Sequence, residues 1–225
     1  MKRTLFLAGA AVAAAASCVT LWMIFFRTPI DRLLLFNQKI FYWHVANGFM
    51  LFAAVITCGV SSLLFLKKRE GRYDDVAQAA GELSVLFGAV LLVTGSIWGK
   101  AAWDVWWDWD ARLTTSLLLW MTMLGYVLVR RYGGSGSERM AAGLAVFATV
   151  NIPLVYFSVR IWRTLHPQTS VVPGLEGRMR AAMWSCVALF ALIYVLLLVV
   201  RTGTARAERQ LAELRDKALD AGLIE

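Results

Sequence analysis

The sequence predicts an all-α integral membrane protein of six transmembrane helices, and three observations predict it. The 225 residues are 59% hydrophobic, with a mean hydropathy of +0.61. Only 17% are charged, whereas a soluble chain of this size carries about 25%. The apolar residues are also blocked together, in windows free of Asp, Glu, Lys and Arg at 4–26, 45–66, 83–99, 113–129, 140–159 and 181–200. A bilayer core of roughly 30 Å takes about 20 helical residues, and about 17 at the least.

The first window follows "MKR" and has small residues from Ala8 to Cys18, as a secretory signal would. Its apolar run continues to Phe26, however, and Ala15 stands where a lipid-attachment motif carries leucine. It is read as an uncleaved span. The third and fourth windows hold 17 residues each, and Trp98 and Trp120 extend them into the interface. The fifth contains Pro153 within "NIP", read as a kink with no chemistry. Residues 1–200 form the membrane domain. Residues 201–225 form a charged cytoplasmic tail, expected as a solvated helix with a weak stripe of Leu211, Leu214 and Ala218. A docking surface for a cytoplasmic partner is the sharper alternative for that stripe.

Six spans put both termini on one side of the membrane. The segments on that side, 1–3, 67–82, 130–139 and 201–225, carry 14 basic residues, against 9 in the three opposite loops. Excess Lys and Arg marks the cytoplasmic side, so the termini are cytoplasmic and loops 27–44, 100–112 and 160–180 are external. The formal charge of +8 follows from this arrangement and gives no reason to expect nucleic acid. Cys18, Cys58 and Cys186 all fall within spans, where a thiol behaves as a small hydrophobe. No CxxC occurs, which argues against thiol redox chemistry and covalent haem attachment.

One external segment stands apart. "WGKAAWDVWWDWDARLT", residues 98–114, holds five tryptophans and three aspartates. On a helix, Trp103, Trp106, Trp107 and Asp110 share one face; on an extended strand, Trp103, Trp107 and Trp109 do. Interface anchoring accounts for Trp22, Trp43, Trp120 and Trp184, but five tryptophans interleaved with Asp exceed what anchoring requires. The chain's only two histidines, His44 and His166, lie on the same external side. Either one alone is most simply a tolerated polar residue. Together they can supply two axial ligands to one haem iron, with indoles as a flat apolar surface for the porphyrin. Arg112, Arg160 and Arg163 are candidate partners for the propionates, and Lys100 is a weaker one. Arg160 and Arg163 could equally snorkel at the end of span five. The aspartates suit orienting the loop, by accepting from indole N–H groups or by pairing with Arg112.

The segment resembles the tryptophan-rich WWD signature of the haem-handling proteins of cytochrome c biogenesis, roughly W-G-x-x-W-x-x-W-W-x-W-D-x-R-L-T. Trp103, Trp106, Trp107, Trp109, Asp110, Arg112, Leu113 and Thr114 fit that pattern in register, and Trp98 and Gly99 match it with one residue more before Trp103. "NIPLVYFSVRIWRTLHPQ", 151–168, is similar to the segment leading to the second histidine of the cytochrome c maturation protein C (haem exporter protein C) branch. Six spans suit that branch, and the lack of a third histidine argues against its larger relatives. Two departures stand out. "HVANGF" at 44–49 replaces the common H-V-P-A-A-W, which weakens the register of His44, and Asp104 and Asp108 occupy positions expected to be uncharged.

The resemblance implies a multi-pass protein of the bacterial inner membrane. It would hold haem b transiently at the periplasmic face, with His44 and His166 as axial ligands and the WWD loop as platform. It would pass the haem to a periplasmic haem chaperone. Its partners would be an ABC-type ATPase, a second membrane subunit and a small single-span subunit, in a bed of lipid. The family role is transport or assembly rather than catalysis, with a haem-lyase-like part in chaperone attachment as the enzymatic alternative. Spans nearly free of ionisable residues favour external presentation of haem over a pore. Two other readings compete: a b-type electron-transfer anchor, which needs ligands buried between helices, and a purely structural permease subunit.

Overall fold

The structure is a computed structural model that describes residues 3–32, 34–134, 136–167 and 171–223. Gln168, the last residue of the second matching segment, lies outside them, as do the first two and last two residues of the chain. The helices are α1 (Arg3–Trp22), α2 (Ile40–Lys68), α3 (Gly71–Trp103), α4 (Ala111–Tyr132), α5 (Ser137–Ile161) and α6 (Gly177–Asp220). Each belongs to a segment long and apolar enough to cross a membrane. No strand occurs among the described residues. The all-α, six-span fold expected from the sequence is the one observed.

The centre of the bundle is α2, whose Tyr42, Ala46, Met50, Ala54, Val55 and Cys58 are buried. It packs against α3, α5 and α6, and α4 closes the bundle against α3 and α5. Without a hydrophobic force between helices in lipid, small residues that admit a neighbour's side chain carry such contacts. Gly88 is one: a Cβ there would sit 2.4 Å from Trp120 Cδ1. The Trp120 indole fills that gap and donates to the Val85 carbonyl at 3.0 Å. Trp120 therefore joins α4 to α3, and the interface-anchor role expected for it does not hold. At the periphery α1 packs on α6. Its C-terminal end is tied to the start of α2 by buried Lys39, whose ammonium donates to the Thr28 carbonyl (3.0 Å), the Thr28 hydroxyl (2.5 Å) and the Pro29 carbonyl (3.1 Å). A cation at carbonyls freed by a helix end is favourable.

The helices run further into the charged segments than the apolar windows suggest. Arg69 takes a left-handed conformation (φ 60°), and its N–H returns to the Phe65 carbonyl at 2.8 Å, which ends α2. Since α3 starts at Gly71, most of the expected loop 67–82 is helix. Likewise α6 continues for 44 residues to Asp220, through most of the expected tail. Paired charges explain both extensions. Arg130 grips Asp74 with two bonds of 2.7 and 2.8 Å and donates to Gln78 at 2.9 Å. Arg209 grips Asp75 at 2.8 and 2.9 Å, and Arg201 holds Glu82 bidentately. Bidentate guanidinium–carboxylate pairs are among the stronger polar contacts, and here they dock α4 and the lower part of α6 on α3. Beyond them Leu211 and Leu214 are exposed.

Candidate functional site

The end of α3 that carries the tryptophans lies about 25–45 Å from these ion pairs, at about 1.5 Å per residue of helix. The tryptophan segment is neither one helix nor a strand. Trp98 and Trp103 close α3, residues 104–110 are irregular, and α4 starts at Ala111. Asp104 makes the reversal with a left-handed backbone (φ 61°), a conformation Asp tolerates better than most residues. Lys100 steadies it from one turn back, bonding the Asp104 carboxylate at 2.5 Å and its carbonyl at 3.1 Å. That hydrogen-bonded pairing holds the exposed Asp104 carboxyl below the usual carboxylate range. It also commits Lys100, the weaker candidate for a propionate, to the loop itself.

The indoles divide by exposure. Trp98 and Trp103 meet edge to face at 5.2 Å, and Trp107 meets Trp109 the same way at 5.8 Å. Trp106 and Trp109 stand out from the surface, 61% and 74% exposed. The N–H groups of Trp98 and Trp107 are buried and have no hydrogen-bond partner among the described residues. A buried donor left unbonded is costly, and a bound acceptor or an ordered water removes that cost.

Asp110 organises the junction. One carboxylate oxygen caps α4 by accepting from the Leu113 N–H at 2.8 Å. The other accepts from the Thr164 hydroxyl and from the Leu165 N–H at 3.0 Å. The Thr164 hydroxyl oxygen accepts in turn from the His166 N–H at 3.0 Å. The tryptophan loop thus holds the loop of the second histidine through one side chain. Orientation by Asp110 was expected, but its partners are this distant loop rather than an indole or Arg112. Arg112 instead donates to the Val155 carbonyl at 2.5 Å, near the C-terminal end of α5. Arg160 and Arg163 line a cavity of about 530 Å³ together with Trp162, Thr164 and His166.

Both histidines come to this end of the bundle. His44, in the first turns of α2, lies close enough to His166 and Arg112 to be coupled to both electrostatically. Each imidazole is half-buried, and each uses Nδ1 for a hydrogen bond. His166 Nδ1 lies 2.8 Å from the Pro167 carbonyl, which can only accept, so Nδ1 carries the proton and Nε2 keeps its lone pair. Burial, reinforced by the charge of Arg112, pushes the His166 pKa down to about 4. The ring is therefore neutral at physiological pH, the form that binds a metal. Among the described residues no group of three or more His, Cys, Asp or Glu could hold a metal ion. Haem does not need one, because the porphyrin supplies the equatorial nitrogens and the protein only axial ligands.

The sequence did not point to Thr94, Gly95 or Thr164. Thr164 sits two residues from His166, and that adjacency is the one signal that could have found it. Thr94 and Gly95 meet His44 across some fifty residues of chain, a separation no spacing pattern bridges.

A family model described as Heme exporter protein C matches residues 1–220. Among curated proteins, Heme exporter protein C of Bradyrhizobium diazoefficiens is 36% identical over 136 residues, 60% of this chain and 52% of that one. The chain thus spans about half the length of that relative. Its counterpart in Paracoccus denitrificans is 30% identical over 211 residues, covering 90% of this chain and 88% of the relative. That of Escherichia coli is 30% identical over 192 residues, with coverages of 80% and 73%.

Proposed function

The chain belongs to the haem exporter protein C family, and on that premise we propose that it handles haem for cytochrome c biogenesis at the tryptophan-bearing end of its bundle. His44 and His166 are the axial ligands of a transiently held haem b. Trp98, Trp103, Trp106, Trp107 and Trp109 form the platform, and Asp110 ties that platform to the His166 loop. The observation that carries this reading is the paired imidazoles, neighbours at one rim, with Nε2 of His166 left free by its Nδ1 bond. Arg160 and Arg163 in the adjoining cavity suit the propionates, and so do the unpartnered N–H groups of Trp98 and Trp107.

The basic excess at the other end of the bundle supports a periplasmic position for this rim, in a bacterial inner membrane. From there the protein delivers haem to a periplasmic haem chaperone. It does so as the membrane subunit of a complex with an ABC-type ATPase, a second membrane subunit and a small single-span subunit. The exposed Trp106 and Trp109 are the part of the platform a chaperone can reach. When held, haem is the cargo. The residues of the chain bind it, orient it and release it, with no covalent step on this chain. The test is transfer: purified haem-loaded protein is mixed with haem-free chaperone, and the two are separated and their spectra recorded. Haem should move to the chaperone, more slowly in a Trp106→Ala variant. Haem that stays on the chain through repeated one-electron cycling would instead favour the electron-transfer anchor.

A further inference from the structure

The two imidazoles are oriented by unlike means. His166 is set by a neighbouring backbone carbonyl, but His44 is set by a side chain on another helix. Its Nδ1 lies 3.0 Å from Thr94 Oγ1 of α3. The same hydroxyl lies 2.7 Å from the Val90 carbonyl and 3.2 Å from the Leu91 carbonyl. A threonine hydroxyl has one proton, and in a helix it goes by default to the carbonyl one turn back. Were it given to His44 instead, the hydroxyl oxygen and the Val90 carbonyl would face each other at 2.7 Å with no proton between them. Thr94 therefore accepts, and His44 Nδ1 donates. Gly95 completes the seat: a Cβ there would stand 3.0 Å from His44 Cε1.

We infer that Thr94 is the positioning residue for His44, fixing the Nδ1–H tautomer and presenting Nε2 to the haem iron. This rests on the haem reading above and deepens it. The hydroxyl stands behind the ligand, where the partner of a metal-binding imidazole fixes the tautomer and raises the basicity of the ligand. It also makes the two histidines alike in tautomer although their partners differ in kind.

The chain holds only two histidines, so a protein labelled with ¹⁵N in histidine gives a resolvable set of four ring nitrogens by solid-state NMR in lipid. The haem-free wild type should show Nδ1–H on both rings. Thr94→Val should change one ring only, the one absent from His44→Ala, while Thr94→Ser retains the wild-type pattern. On haem loading, Thr94→Val should lose the low-spin bis-imidazole absorption and EPR signature and bind haem about ten- to a hundredfold more weakly, with Ser restoring both. An Nε2–H tautomer at His44 in the wild type overturns the inference, as does a Thr94→Val protein with unchanged tautomer and unchanged ligation. If the tautomers are as stated but His44→Ala leaves the haem signature intact, the role of Thr94 toward haem fails together with the ligand assignment. If His44→Ala abolishes the signature and Thr94→Val does not alter it, Thr94 alone is refuted.

Discussion

Replacing Asp110 by Asn separates two roles that one carboxylate performs. Asn is as good an N-cap as Asp, so the bond to the Leu113 N–H survives and α4 stays capped. The second oxygen is different, because it accepts from both the Thr164 hydroxyl and the Leu165 N–H. An amide NH₂ in that place turns a donor toward the Leu165 N–H. Two hydrogen bonds to a charged acceptor are lost, each contributing about 1.5–3 kcal/mol. Partial exposure brings the net loss to about 2–3 kcal/mol, all of it in the docking of residues 162–167. That reduces the docked population of the His166 loop by a factor of about 30–150, at 1.4 kcal/mol per tenfold. Hydrogen exchange read by mass spectrometry should show faster exchange over 162–167 in Asp110→Asn, with 111–116 unchanged, and weaker haem binding alongside. In Asp110→Ala both segments should exchange faster. Wild-type exchange at 162–167 in Asp110→Asn would show that the carboxylate does not tether the loop.

Gly95→Val pushes a branched side chain against His44, whose Cε1 would lie 3.0 Å from the new Cβ. Haem binding should fall about as far as in His44→Ala, while thermal unfolding in detergent shifts only slightly. Arg209→Ala leaves the Asp75 carboxylate, 3% exposed, buried without its guanidinium; the expected cost is about 3 kcal/mol, read as a lower unfolding temperature, and Asp75→Asn in the same background should recover most of it. Asp104→Val forces a β-branched residue into a left-handed backbone (φ 61°) and should lower the unfolding temperature, whereas Asp104→Gly should not.

The spans were legible because bilayer thickness imposes a length and lipid excludes charge, which leaves a mark on the sequence wherever a helix crosses. The helix ends beyond the bilayer were not. Asp74, Asp75 and Glu82 look like loop charges until their arginines, 56 to 134 residues away, are seen to hold them. Trp120 was misread for a related reason: a tryptophan in a short window looks like an anchor unless the glycine opposite it is known. At the site, the motif identified the tryptophans, Asp110 and Arg112, and chain topology placed both histidines on one side. Hydrogen-bond partners were out of reach. Whether Arg112 faces a propionate or the carbonyls of α5, and which nitrogen of His44 is free, depend on contacts between distant segments.

The most direct test is the absorption spectrum of the protein purified from cells that make ample haem and its partner subunits, compared with His44→Ala and His166→Ala. One haem held by both histidines predicts a Soret band in the wild type that shifts or vanishes in each variant. A haem-free wild type, or a Soret band indifferent to both substitutions, would contradict that account.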